Sequence, residues 1–545
     1  MNVFSKVLDL FKSKPPSAPT PGADGLERGA LEDTRYLTER ENPTVQLARL
    51  MEKIPPASDV PGHVSPLNYS QATKAARKGD TATSLGKKPA NQPVTPSQEQ
   101  YPDAVKAVLR DAEQGDPQAQ YKLGLFFEKG AGLRQDYEKA LFWFTKAAEA
   151  GLATASVKLG FFLEKGLGGD PNITLAAKSY LRAAELGNEA AQLKIGLLYL
   201  EGQGVPLDFD SGVSWLTKAA EQNVAEAQFR LGACFQKGLG VSVSYYEAGK
   251  WFRRAADLGH AHAQYNLALL CRQGVGVPKD LFQAVAWCRK AAEEDFAEAQ
   301  FLLAQCFEKG SGIDKNLAEA ARWYRRAAEQ GLIKAKHELG LLCEKGDGVP
   351  QNFAEAAAWF REAAVEEYTP SQYSLGVLYE EGRGVEKNPA EALAWTRQAA
   401  DKAHPGALLK MGLHHLEGGL ADQDPQEAFK WVRKAADLGS SAAQYFLGTF
   451  YEQGCGVARN EPEAFKYFKR SAEQGFPDAQ AVLGSYYEQG KLVPQDFVEA
   501  YKWFNLAGAQ GIHAAVFNRD NLVRRISPDQ VTEGQRRTAA FVPRK

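Results

Sequence analysis

The chain has 545 residues, 24% of them charged, yet its formal net charge is only −2. So even a balance gives no global field for nucleic acid or an anionic membrane. A single compact core is excluded by the length, which leaves several domains or one elongated array.

Residues 1–98 come first and are rich in proline, serine and threonine, with Pro15, Pro16, Pro19, Pro21, Pro55, Pro56 and Pro61 among them. Such a stretch buries too little apolar surface to offset its chain entropy and is expected to be a disordered arm. It holds two short amphipathic segments. In the first, Val3, Phe4, Val7, Leu8 and Phe11 share one helical face beside Lys6, Lys12 and Lys14. That face suits a membrane surface, a partner's groove or a groove of the chain itself. The second holds Leu47, Leu50, Met51 and Ile54. Lys6 and Asp9 interrupt the opening apolar run too early for a signal-peptide core. No window approaches the roughly 20 apolar residues that cross a bilayer.

Residues 99–115 are expected to form an N-terminal capping helix, with Ala104 and Ala112 in phase with Ala140 and Ala148. A strict repeat then runs over residues 116–511. All nine tryptophans keep one phase of it: Trp143, Trp215, Trp251, Trp287, Trp323, Trp359, Trp395, Trp431 and Trp503 stand 36 residues apart or a multiple of that. A fixed period of this size is the mark of stacked repeats. Eleven units succeed one another without insertion or deletion.

Position 4 of the unit is small throughout, from Ala119 to Ala479, and position 9 is glycine or alanine, from Gly124 to Gly484. A glycine inside a helix costs about 1 kcal/mol against alanine, so its recurrence implies close packing of neighbouring helices. The first helix stops at a glycine in every unit, from Gly130 to Gly490. The second starts at Asp136, Asn172, Asp208, Ser244, Asp280, Asn316, Asn352, Asn388, Asp424, Asn460 or Asp496, all good N-caps. Eight have Glu or Gln three residues on, which resembles a capping box. Alanines such as Ala140, Ala147 and Ala148 place the tryptophans on the inward side of the second helix, as pegs of the stack. Each unit is thus a helix-turn-helix that buries its apolar face only by stacking. After Gly511, residues 512–545 are expected to supply C-terminal capping helices and a basic tail, with Ser527, Pro528 and Gln530 marking a fresh helix start.

The run AQYKLGLFFEKGAGLRQDYEKALFWFTKAAEAG, from Ala119 to Gly151, resembles the Sel-one-like repeat (SLR) family, a relative of the tetratricopeptide repeat. The resemblance implies an all-α, right-handed α/α superhelical solenoid that acts as a scaffold or adaptor for proteins. The second loop glycine is missing in units nine and eleven, where Leu492 stands in its place in the latter, and this puts the local loop geometry in doubt.

On the first helix, positions 4, 8, 11 and 12 point to the core, which leaves 3, 7 and 14 as the free face. Positions 7 and 14 of the first four units are Lys122, Lys129, Lys158, Lys165, Lys194, Glu201, Arg230 and Lys237, seven of the eight basic. This stripe is the candidate partner-binding surface, suited to an acidic protein or peptide on the concave side. The bland alternative is a solvated face with lysines favoured near a helix C-terminus. An aromatic row at position 6 (Tyr121, Phe229, Tyr265, Phe301, Tyr373 and Tyr445) is read as packing between units. On the second helix, Arg253, Arg289, Arg325, Arg397 and Arg433 each precede an acid by four residues, so local pairing accounts for them better than nucleic acid does.

The six cysteines have no CxxC or zinc-type spacing and are read as free, buried thiols, which favours a cytoplasmic protein. No HExxH, GxSxG, Walker A or Rossmann signature occurs, so neither an enzyme nor a cofactor or metal site is expected. Besides a scaffold or adaptor, two readings remain open. One is an immunity-type inhibitor of a toxin enzyme; the other is a peripheral membrane organiser recruited through residues 1–14.

Overall fold

The computed structural model describes residues 102–418 and 420–544. The arm over residues 1–98, with both of its amphipathic segments, lies outside them. The described residues contain 25 helices and no strand. The first, α1 (Asp103–Glu113), packs on the helix that comes after it. Helices α2 to α23 form eleven pairs, from Pro117–Lys129 with Tyr137–Glu149 to Pro477–Gln489 with Phe497–Ala509. Each packs on its predecessor and its successor, giving an all-α solenoid. Two further helices, α24 (His513–Val523) and α25 (Pro528–Ala539), pack on α23.

Local signals set these boundaries. Every first helix of a unit closes at a glycine in the left-handed region, with φ between +65° and +77°. All eleven N-cap side chains of the second helices accept a hydrogen bond from a backbone N–H of the first turn. The reciprocal bond that completes a capping box is formed at Ser527 and Gln530 of α25. In the repeats the capping is one-sided. The Glu three residues on often turns to a neighbouring cation instead, as Glu319 does to Arg322 and Glu355 to Arg325.

The recurrent glycine at position 9 is explained by what faces it. A Cβ there would stand 2.5–2.7 Å from the ring of Phe144, Tyr180, Phe252, Phe360, Phe468 or Phe504. These rings belong to the residue just after the tryptophan phase, and they are almost wholly buried. Here the tryptophan expectation needs correction. Trp503 is 4% exposed, whereas the other eight are only partly buried. They lie at the flank of the second helix, several beneath a cation one turn on, such as Lys218 at 3.8 Å from the Trp215 ring and Arg254 at 4.6 Å from that of Trp251. Alanine-rich positions on both sides misled the phase by about one residue, roughly 100° on a helix. Trp503 differs because the C-terminal Phe541 covers it, ring to ring at 5.4 Å.

The sequence pattern also conceals a glutamine ladder. At position 5, Gln120, Gln192, Gln228, Gln264, Gln300, Gln372, Gln444 and Gln480 each donate to the carbonyl of an alanine in the last turn of the preceding second helix, at 2.9–3.4 Å. Each of these carbonyls already accepts a backbone N–H from three residues on, so the glutamine supplies a second donor that ties the first helix to the end of the helix before it. The oxygens of Gln192, Gln300, Gln444 and Gln480 accept in turn from Gln222, Gln330, Gln474 and Gln510, thirty residues ahead. In unit seven the couple becomes an ion pair, Lys336 with Glu366 at 2.8 Å.

All six cysteines are free thiols; five are buried and Cys455 is partly so. Burial pushes the Cys234 thiol up to about 12, which suits a packing role.

Candidate protein-binding face

The first helices of successive units lie side by side, and their exposed residues make one continuous face. Position 14 is open there: Lys129 and Lys165 are exposed and Lys237 is partly so. Position 7 behaves differently beyond the first unit, because it meets position 13 of the unit before. Lys158 reaches Glu128 at 2.9 Å and Lys194 reaches Glu164 at 3.1 Å. Lys410 reaches Glu380 at 2.8 Å in the same way. Position 7 is therefore the seam between neighbouring first helices, and much of its charge is neutralised within the fold. Arg230 is 5% exposed and pairs with Glu226 of its own helix.

Of the seven basic residues, Lys122 and Lys129 are exposed with no carboxylate at ion-pair distance among the described residues, and Lys165 is exposed with Glu164 at 3.9 Å. Exposed lysines stand at the same phase again in units six and seven, at Lys309 and Lys345.

Around Glu226 the seam is more elaborate. His260 Nδ1 accepts the N–H of Ala263 at 3.2 Å, so Nε2 carries the proton and donates to Glu226 at 2.8 Å. Burial acts to raise Glu226, but the hydrogen bonds from His260 and Arg230 outweigh it and hold the carboxyl at about 2. The His260 ring stacks on Phe229 at 4.7 Å. His404 repeats the arrangement, accepting from Ala407 N–H at 3.2 Å and facing Tyr373 at 4.7 Å. The position-6 aromatics thus pack between units: Tyr265 meets Phe296 at 5.3 Å and Tyr445 meets Phe476 at 5.3 Å.

The middle of the face inverts the charge pattern. Tyr180 donates to Glu164 at 2.9 Å where Lys194 neutralises it, and Tyr324 donates to Glu308 at 2.7 Å. At this second junction, however, position 7 is Glu338. Burial first, and then the Glu308 charge, push its carboxyl up to about 7.

The opposite side, built from second helices, has its own hollow of 640 Å³, lined by Trp323, Arg325 and Arg326 among others. Its cations are compensated, Arg322 by Glu319 of its own helix and two others from outside their own unit. Arg325 reaches Glu355 at 2.7 Å and Arg326 reaches Asp295 at 2.6 Å, both in neighbouring units. Arg253 donates to Gln283 at 3.1 Å, whereas Arg433 shows the expected pairing within one helix, with Asp437 at 3.9 Å. The four-residue expectation gives way because a side chain at this phase lies nearer the start of the next second helix.

Among the described residues, no three His, Cys, Asp or Glu are placed to hold a metal ion, and no helix is long and apolar enough to cross a membrane.

The model of the Sel1 repeat matches this chain eleven times, over residues 117–152, 153–188, 189–224, 225–260, 261–296, 297–332, 333–364, 369–404, 405–440, 441–476 and 477–512. The chain belongs to the Sel1 repeat family. Among solved structures, this Sel1 repeat protein is similar to a protective antigen of uropathogenic Escherichia coli that displays an SLR fold. The two are 30% identical over 80% of this chain and 94% of the antigen, with a TM-score of 0.73. A Sel1 repeat protein from Oxalobacter formigenes is 28% identical over 62% of this chain and 98% of its own, with a TM-score of 0.48. No match was found among curated proteins.

Sequence reasoning missed the glutamates of position 13 that pair with the basic stripe. Their signal is an acid followed by a base thirty residues later, one repeat less six.

Proposed function

We propose that this Sel1 repeat protein is a non-catalytic scaffold or adaptor that binds acidic proteins or peptides on the face of its first helices. The observation that carries this reading is the contrast between fixed and variable positions. Packing positions repeat in every unit, while position 14 of the exposed face changes from unit to unit, lysine in units one, two, four, six and seven and glutamate in units three, eight and nine, and Lys122 adds to the exposed lysines of the first two units. A long face of this kind gathers affinity from many shallow contacts. Lys122, Lys129 and Lys165 provide the attraction for an acidic partner, and Lys158, Lys194, Arg230 and Lys237 shape the seam and flank behind them.

Reversing the three exposed lysines to glutamate tests the reading without touching the packing. Recovery of bound partner from a lysate is expected to fall about tenfold, equivalent to about 1.4 kcal/mol, and the remaining binding should depend less on salt. Unchanged recovery of every partner would overturn the basic-face reading.

A further inference from the structure

The loop edge of the solenoid, where each second helix begins, exposes large apolar side chains in four consecutive units and none in units six to nine. Lys315, Gln351, Lys387 and Gln423 occupy position 20 in units six to nine, and Ala318, Ala354 and Ala390 occupy position 23 in units six to eight. Units two to five instead expose Leu175 (46%), Leu207 (47%), Val243 (58%), Tyr245 (41%), Tyr246 (63%) and Phe282 (78%). These residues form one row. The loop of each unit rests on the first residue of the preceding second helix, as Gly240 does on Phe209 and Gly276 on Tyr245. An exposed apolar row of this length marks a surface that something covers.

The chain itself enters at this edge. Pro102 lies against the Gly132 loop of the first unit, with 3.4 Å to the Cβ position of that glycine, and it stands 144 residues before Tyr246 and 180 before Phe282, the same repeat phase as both. Upstream of Pro102, residues 1–14 carry five apolar side chains on one helical face, Val3, Phe4, Val7, Leu8 and Phe11. Pro102 stands 88 residues after Lys14, a covalent reach of roughly 300 Å, so length is no obstacle. A covalent tether also raises the local concentration of the segment above that of separate molecules.

We infer that the apolar face of residues 3–11 docks on this row and covers Leu207, Val243, Tyr246 and Phe282. The contact is helix-on-edge burial of apolar surface within one molecule. It is separate from the first-helix face and does not rest on the function proposed for it.

Amide hydrogen exchange on the full chain tests the contact. In the double variant Phe4→Glu, Phe11→Glu, exchange over residues 205–210, 241–247 and 279–284 is expected to quicken about fivefold to tenfold, with units eight to eleven unchanged. Equal exchange in the two chains would overturn the inference. So would protection that weakens on dilution, since that assigns the row to a second copy. The reciprocal variant Tyr246→Ser, Phe282→Ser changes two exposed side chains and leaves the stack folded. Proteolytic cleavage within residues 1–14 should then become faster, and an unchanged cleavage rate would contradict the docking.

Discussion

Replacing Gly348 by alanine is expected to destabilise the junction of units six and seven by about 4 kcal/mol, against about 1 kcal/mol for Gly331→Ala. Both glycines sit in the left-handed region, at φ +74° and +92°. The difference lies in the space around them. A Cβ on Gly348 would stand 2.2 Å from the backbone carbonyl carbon of Leu317, and nothing lies within 4 Å of one on Gly331. The chain already contains the control. At the phase of Gly331, Asn223, Asp295, Glu367 and Ala403 adopt φ of 58° to 64° with ordinary side chains. At the phase of Gly348, a Cβ on Gly168, Gly204, Gly240, Gly276, Gly312 or Gly384 would likewise stand within 2.4 Å of the backbone of the preceding unit. Leu492 is an exception in the last unit, where it holds φ +62° and keeps the left-handed turn that the missing glycine put in doubt. Urea denaturation of the two alanine variants checks the ranking; equal midpoints would contradict it.

The second large effect depends on pH. Glu338 has a raised folded-state pKa, so the fold binds its proton more tightly than the unfolded chain does. Its contribution to stability is therefore full below the ordinary glutamate value of 4.5 and is lost as pH climbs toward about 7. A tenfold gain in proton affinity on folding is worth about 1.4 kcal/mol, and partial solvent access limits the whole effect to about 2 kcal/mol. Glu338→Gln should match the parent chain at acid pH and exceed its stability by that amount above neutrality. Glu338→Lys should do at least as well, because it restores the ammonium that Lys194 presents to Glu164 at the equivalent junction. Thermal midpoints measured across the pH range check this. Parallel profiles for parent and Gln variant would show that Glu338 is not held in its neutral form.

The repeat period, the helix stops at Gly130 to Gly490, the N-caps and the close packing at the position-9 glycines were all legible in the sequence because each depends on neighbours within one unit. What escaped depends on finer phase or on the unit next door. Trp215 and Trp251 share the alanine-rich side of their helices, yet the buried contact with the position-9 glycine is made by Leu216 and Phe252, one residue on. Arg325 is four residues from Glu329 but pairs with Glu355, because the next second helix begins nearer than the next turn of its own. Lys158 and Lys194 read as free charges until Glu128 and Glu164 are placed beside them. These couples recur at a spacing of thirty residues, so a search at that offset recovers them from sequence alone.

The proposed binding face is tested most directly by site-specific photo-crosslinking. A photoreactive residue at position 122, 129 or 165 of the first helices, or at the exposed 178 or 250 of the second helices, reports which side a partner touches. The account predicts crosslinked partner from 122, 129 and 165 and little from 178 and 250. Crosslinks that form only from the second helices would contradict it.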